Sequence, residues 1–376
     1  MNSNNRNLIL GGVLISISAL VFIFLVPNFE REEFDKDKIE NISQGITTTS
    51  IFQQESNNEQ SNEDNSNNEK NELEITDSEK SEIEKLLINN KSEFNLDLNA
   101  YLIIGSDERS LSSSENRGFV QGSRADVILL GILNNNSKNN HLISIPRDLL
   151  IINPCTQIIE RINGSYQKNE CGNRPENLAA AILNLTGISV ENFASFNFEG
   201  FEKIIDSFGG IEICVEKTQR EGYSFELQKG CQTVSGSTSL NWIVSRNTEV
   251  LVGEKIVDEN GEDASIWEKM SGVSDLTRIE RQQYVVLQML KELDNFDNIN
   301  EFTNFIEAIE ETFIIDENLS IRQAIDLLWN LRDIDLDNIE KHTLPTYPYE
   351  LEDGRQVLIM EESFKEFALT NGILDF

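Results

Sequence analysis

The stretch RADVILLGILNNNSKNNHLISIPRD, residues 124–148, decides the fold. ADVILLGIL (125–133) is an apolar run of strand length. NNNSKNN (134–140) is rich in turn formers, and HLISIPR (141–147) alternates until it meets Pro146. Two strands with so short a connection are expected to run antiparallel. Upstream, NAYLIIG (99–105) is apolar and ends in glycine, which predicts another buried strand. If the 125–133 strand runs back between the other two, their ends lie beside its start. Asp107, Arg124, Asp126 and Arg147 then share one rim of a sheet.

Working outward, a helix is expected from about Glu176 to Leu185, with Pro175 near its first position and Gly187 past its end. A second, about Glu199 to Phe208, stops at Gly209–Gly210, and IEICV (211–215) follows as a strand. SLNWIVSR (239–246) fits strand or helix equally. A helix over 277–294 carries a possible capping box at Thr277 and Glu280 and an apolar stripe of Ile279, Val286, Leu290 and Leu293. Two more helices are expected at 302–313 and 319–332. Strands and helices mixed without strict alternation predict a layered α/β or α+β fold.

The 376 residues carry a net charge of −34, which excludes nucleic acid as an expected partner and disfavours adsorption to anionic lipid. Residues 8–27, LILGGVLISISALVFIFLVP, hold no charge and have the length of a bilayer-spanning helix. Arg6 before them and the acidic run after them favour the N-terminus inside and the rest outside. A cleavable signal peptide is the rival reading, but the apolar stretch is long and no A-x-A site follows. Residues 28–96 are rich in Asn, Ser, Glu and Gln and read as a disordered linker. The expected division is therefore 1–7 cytoplasmic, 8–27 membrane anchor, 28–96 linker, and 97–376 an extracytoplasmic domain.

Cys155, Cys171, Cys214 and Cys231 all fall on the expected outer side. Their spacing suggests Cys155–Cys171 and Cys214–Cys231, although sequence permits three connectivities. Each loop closed in this way is worth about 3 kcal/mol in the chain-entropy description. A zinc site is the alternative; no Cys-x-x-Cys pair exists, and only His141 and His342 could assist.

Arginine concentrated at element ends in so acidic a chain points to a local anion site. Arg278, Arg281 and Gln282 fall in the first turns of the 277–294 helix, where free N–H groups favour phosphate. Arg246 precedes the loop leading to that helix. Guanidinium forks match phosphate oxygens. Asp107 and Asp126 cannot both stay ionised at close range without a cation, and Mg²⁺ (or Mn²⁺) is the natural one. The set reads as machinery for a pyrophosphate. No GxxxxGK[ST], HExxH or GxSxG motif is present, and two histidines make a Ser–His mechanism improbable.

GSDER (105–109), Arg-x-Asp opening a strand (124–126), ISIPRD (143–148), RINGSY (161–166), the Pro-Glu-Asn-Leu helix (175–178), FEGFEKIIDSFGGIEICV (198–215) and DLTRIERQQ (275–283) resemble, in order and spacing, the LytR-CpsA-Psr family. The likeness covers roughly residues 98–295, and the region around LPTYPY (344–349) looks like the family's C-terminal portion. It implies a three-layer α/β/α sandwich with a mixed central sheet and an apolar tunnel for lipid. It implies a membrane-anchored phosphotransferase that moves a glycopolymer phosphate from a polyprenyl-pyrophosphate carrier to a wall acceptor such as peptidoglycan. By the same resemblance Asp107 and Asp126 hold the metal, and Arg124, Arg147, Arg246, Arg278 and Arg281 surround the pyrophosphate. Arg109 matches the family's first arginine, at the substrate or supporting its loop. Asp126 is also a candidate to accept the acceptor's proton. In one departure, Val244 stands where the first arginine of an Arg-x-Arg pair is expected, leaving Arg246. The loop from Asn247 to Ser274 is long and acidic, suited to covering the pocket or altering the acceptor. Two rival functions remain: hydrolysis of the same pyrophosphate, and a non-catalytic module that binds polyprenyl phosphate at the surface.

Overall fold

The computed structural model describes residues 30–45, 77–89, 96–106, 124–133, 139–260, 263–270, 275–292, 296, 313–316 and 338–374. Its first elements are β1 (Glu30–Glu32), α1 (Lys36–Ser43), α2 (Asp77–Asn89), β2 (Leu96–Ser106), β3 (Ala125–Leu133) and β4 (Asn140–Ser144). The short strands β5 (Leu150–Ile152) and β6 (Ile159–Arg161) follow, then α3 (Arg174–Thr186), β7 (Ile188–Asn197), α4 (Phe198–Ser207) and β8 (Ile211–Val215). Next come β9 (Gln219–Glu221), β10 (Phe225–Leu227), β11 (Gly230–Val234), α5 (Gly236–Val244), β12 (Glu249–Val252), β13 (Ile266–Lys269) and α6 (Asp275–Glu292). The last are β14 (Phe313–Asp316), β15 (Ile339–Thr343), β16 (Thr346–Glu350), β17 (Gln356–Met360) and α7 (Phe364–Thr370).

Seven strands form the central sheet in the order β1-β14-β7-β2-β3-β4-β15. β3 is antiparallel to β4, as their short connection predicts, and also to β2 across the longer 107–124 connection, while β2–β7 and β4–β15 are parallel. The sheet is therefore mixed. Side chains alternate across it. Ala100, Leu102 and Ile104 of β2 and Ile128, Leu130 and Ile132 of β3 join one core with residues of α1, α3 and α7. Leu129 and Leu142 pack on the other face against Val286 and Leu287 of α6. Phe201, Ile205, Leu240 and Ile243 add α4 and α5 to that second layer, next to Phe196. Burial on both faces explains why β3 reads as an almost unbroken apolar run.

Local signals set the helix limits. Asn173 and Glu176 form a reciprocal capping box at the start of α3, Pro175 sits in its first turn, and Gly187 ends it at φ 73°. Leu178 and Ile182 of α3 are fully buried, each worth about 1.5–3 kcal/mol, so Ile182→Ala would cost about 2–5 kcal/mol. The ambiguous 239–246 segment resolves as a helix, α5, capped by Ser235, which accepts from the Thr238 N–H. α6 begins at Asp275, so Thr277 lies inside its first turn and is not the cap that the sequence pattern suggested.

The expectation of a disordered linker over 28–96 needs correction in part. Phe34, Ile39 and Ile42 are buried in the main core. Lys38 Nζ donates to the fully buried Glu176 at 2.7 Å, and Arg174 Nη2 donates to Glu32 at 2.8 Å. Ile83 and Leu87 of α2 pack with Leu150, Ile152, Val357 and Ile359. A few apolar side chains with correctly placed partners suffice, although the average composition around them is polar. The remainder of the linker, the 8–27 segment and the 319–332 helix lie outside the described residues. So does the 302–313 helix, apart from Phe313, which opens a strand. Among the described residues no helix is long and apolar enough to cross a membrane.

Both expected disulfides are present, Cys155–Cys171 and Cys214–Cys231. The second joins directly opposed residues of β8 and β11. The acidic 247–274 segment supplies β12 and β13, which extend β9 and β10 into a separate four-stranded sheet.

Candidate functional site

The hydrogen-bond register between β3 and β4 builds the first part of the site. Leu129 pairs with Ser144, and Ile145 N–H donates to the Ile128 carbonyl at 3.0 Å. Continuing that register sets Asp126 opposite Arg147. Arg147 Nη1 accordingly donates to Asp126 Oδ1 at 2.6 Å, and both side chains are 23% exposed. Asp148 braces the same guanidinium, with Oδ2 3.5 Å from Arg147 Nε, and its Oδ1 lies 3.3 Å from Arg161 Nε. Burial opposes the charge on Arg147, but the carboxylates of Asp126 and Asp148 outweigh it and raise its pKa.

These residues open into a cavity of about 550 Å³ lined also by Arg246, Arg278, Gln282, Val244, Asn197 and Glu221. Arg278 and Gln282, one helical turn apart on α6, face it together. Burial lowers the pKa of Arg278, the positive charges of Arg147 and Arg246 lower it further, and it settles at about 10 despite Asp148 and Asp126. Three cationic groups therefore act on one another inside this cavity. Asn197 caps α4, accepting from the Gly200 N–H at 2.8 Å, so the positive end of that helix also meets the wall. Phe198, Phe201, Leu240, Ile243 and Val286 make another part of the lining apolar.

Arg281 departs from expectation. It is 5% exposed, does not line the cavity, and donates from Nη1 to the Trp242 carbonyl at 2.9 Å and to Thr248 Oγ1 at 3.1 Å. Its guanidinium also lies 5.1 Å from the Trp242 ring centroid. Burial lowers its pKa to about 10, with Glu221 opposing. Ser245 and Thr248 are hydrogen-bonded through their hydroxyls at 2.7 Å. Arg281 thus pins the turn that carries Arg246. The reason is angular: on a helix, residue 281 is rotated by roughly 100° from residue 282, enough to leave the cavity face.

Arg124 precedes β3, is partly buried and does not line the cavity. Asp107 and Arg109 lie outside the described residues; Ser106, just before Asp107, pairs with Ala125 beside Asp126. The sequence reading passed over Asp148, Asn197 and Glu221. Asp148 was available as the last letter of ISIPRD. Asn197 and Glu221 had no local signal, since only the packing of β7 and β9 brings them to the cavity.

A divalent cation can be tested against the described half of its site. Asp126 Oδ1 is taken by Arg147, whereas Oδ2 has no hydrogen-bond partner among the described residues. One carboxylate oxygen with substrate phosphates is a common way to bind Mg²⁺, so the donor set fits.

The LytR_cpsA_psr family matches residues 46–254 and 260–370 of the chain. The cell wall biosynthesis protein LcpA of Corynebacterium glutamicum is 24% identical over 266 residues, 61% of this chain and 47% of that protein. The polyisoprenyl-teichoic acid–peptidoglycan teichoic acid transferase TagU of Bacillus subtilis is 25% identical over 262 residues, 69% of each chain. The alignment thus spans about half the length of the first relative. Among solved structures, a LytR-Csp2A-Psr enzyme from Actinomyces oris superposes with a TM-score of 0.52 at 22% identity, covering 72% of this chain and 88% of its own.

Proposed function

This chain belongs to the LytR_cpsA_psr family, and from that premise we propose that it transfers a glycopolymer phosphate from a polyprenyl-pyrophosphate carrier to a wall acceptor such as peptidoglycan. The observation that carries the reading is the convergence of Arg147, Arg246 and Arg278 on one cavity in a chain of net charge −34. Such a cluster disfavours itself when empty and is relieved by an anion of two linked phosphates. The apolar lining around Phe198, Phe201 and Ile243 suits the first isoprenyl units of a lipid carrier.

In this proposal the acceptor hydroxyl oxygen attacks the phosphorus attached to the glycan. The bond from that phosphorus to the bridging oxygen breaks, polyprenyl phosphate leaves with the electron pair, and the hydroxyl proton passes to the Asp126 carboxylate. Arg278 and Arg246 bind the equatorial and leaving oxygens, where negative charge grows. Arg147 orients Asp126 while keeping donors for phosphate. Gln282 hydrogen-bonds the same group from the α6 face. Asp126, with Asp107, would hold Mg²⁺ or Mn²⁺, which supplies charge neutralisation at the phosphates. The two disulfides and the uncharged 8–27 segment support a domain held outside the cytoplasmic membrane, with the N-terminus inside.

The test is incubation of the detergent-extracted protein with a lipid-linked glycan phosphate, peptidoglycan fragments and Mg²⁺. Phosphate-linked glycan on the acceptor is expected. Free glycan phosphate alone would mean hydrolysis, and unchanged bound lipid would mean a binding module.

A further inference from the structure

The chain has two histidines, 201 residues apart, and the fold brings them together at the far end of the sheet. β4 and β15 pair in parallel with His141 opposite Glu340 and Ile143 opposite His342. Glu340 and His342, two apart on one strand, share a face, and His141 meets both from the neighbouring strand. We infer that His141, Glu340 and His342 form a binding site for a divalent transition metal of the zinc class, separate from the phosphate cavity.

Distances carry the argument. His141 Nδ1 lies 3.1 Å from His342 Nε2, and Glu340 Oε2 lies 3.6 Å from the first and 3.7 Å from the second. Ligands held about 2.0–2.1 Å from a tetrahedral zinc stand roughly 3.3 Å apart, so the triangle is close to that of a two-histidine, one-carboxylate site. A hydrogen-bonded imidazole pair alone accounts less well for the third corner. Glu340 Oε2 sits nearly equidistant from two ring nitrogens and beyond hydrogen-bond length from each, as it would around a common ion.

The surroundings fix the ligands. Glu340 Oε1 accepts from Asn139 Nδ2, leaving Oε2 toward the rings. The His342 ring meets Phe367 edge-on. Gln283 Nε2 donates to the His342 carbonyl at 2.8 Å and to Ser144 Oγ at 2.9 Å, securing β15 and β4 to α6. His141 is 2% exposed and Glu340 41%, so the fourth position opens to water on the glutamate side. His141 pairs with Ile132, at the opposite end of β3 from Asp126, roughly 20 Å away at strand rise. The cysteines are committed to disulfides and take no part. A metal here would fasten the C-terminal segment onto the sheet edge.

Full-length protein in detergent, stripped with chelator and kept in excess Mg²⁺ to occupy any hard-ion site, is titrated with Zn²⁺ by calorimetry and with Co²⁺ by visible absorption. One Zn²⁺ per chain is expected, with a Kd of about 1 µM or tighter, and Co²⁺ should give the intense visible bands of tetrahedral coordination. Glu340→Gln, at a partly exposed position, is expected to weaken Zn²⁺ at least about tenfold without lowering the metal-free melting temperature. His342→Gln should remove the Co²⁺ bands. Absence of Zn²⁺ binding by the wild type, or Zn²⁺ affinity unchanged in Glu340→Gln, overturns the inference.

Discussion

Arg147 and Asp126 oppose each other across the β3–β4 register, with Nη1 2.6 Å from Oδ1, so one ion pair links strand pairing directly to the cavity rim. Neither residue can be changed without altering how the other presents itself. Arg147→Ala and Asp126→Asn are each expected to lower transfer by about 10²–10³-fold. The double variant should lose little more than either single one, because the pair acts as a unit. Initial rates with the lipid-linked donor measure this, and multiplicative losses would break the coupling.

Burial and the neighbouring charges of Arg147 and Arg246 hold the folded pKa of Arg278 at about 10, well below that of an ordinary arginine. Its charged form therefore disfavours the native state at every pH below about 10, and that penalty fades as pH rises above about 10 toward the ordinary arginine range. Arg278→Gln is expected to stabilise the ligand-free protein by about 1 kcal/mol, a value discounted for its remaining solvent contact. The same change should weaken pyrophosphate binding by about 10²-fold. Thermal melts at pH 7 with and without pyrophosphate give both numbers; a destabilised variant would contradict the like-charge account.

Arg281 should behave in the opposite way. Its donors are used on the Trp242 carbonyl and Thr248, so Arg281→Ala is expected to cost about 2–4 kcal/mol of stability. Pyrophosphate affinity of the folded protein should change by less than about fivefold. A loss of affinity as large as that of Arg278→Gln, with no change in melting, would return Arg281 to the substrate.

Val244 lines the cavity at 36% exposure, two residues before Arg246. Val244→Arg is expected to tighten pyrophosphate about tenfold through one added charge-assisted contact. It should also lower the ligand-free melting temperature, since a further cation joins Arg147, Arg246 and Arg278. Calorimetric titration paired with a melt tests both signs at once.

Much of this site could be read from letters alone, and the reasons are local. A seven-residue connection makes a hairpin, a hairpin fixes register, and register puts Asp126 opposite Arg147. Gln282 and Arg278 follow from helical spacing, whereas Arg281 is turned toward the Trp242 carbonyl and Thr248, because periodicity says which residues are neighbours and not which edge of the stripe meets the core. The pairing of β4 with β15 was invisible, since it sets distant residues such as His141 and Glu340 side by side in a parallel arrangement with no connecting pattern. The packed part of the polar N-terminal region was hidden for another reason. Phe34, Ile39 and Ile42 are too few to shift a composition average, yet each has a prepared place in the core.

That early attachment bears on reach. Were residues 8–27 to cross the bilayer, residues 28 and 29 alone would precede β1, and two residues extend at most about 7 Å. The domain would then ride low on the lipid surface instead of swinging on a long leash into the wall. Because α1 and α2 are both packed onto the domain, shortening the sequence between them would leave the height of the phosphate cavity above the membrane unchanged.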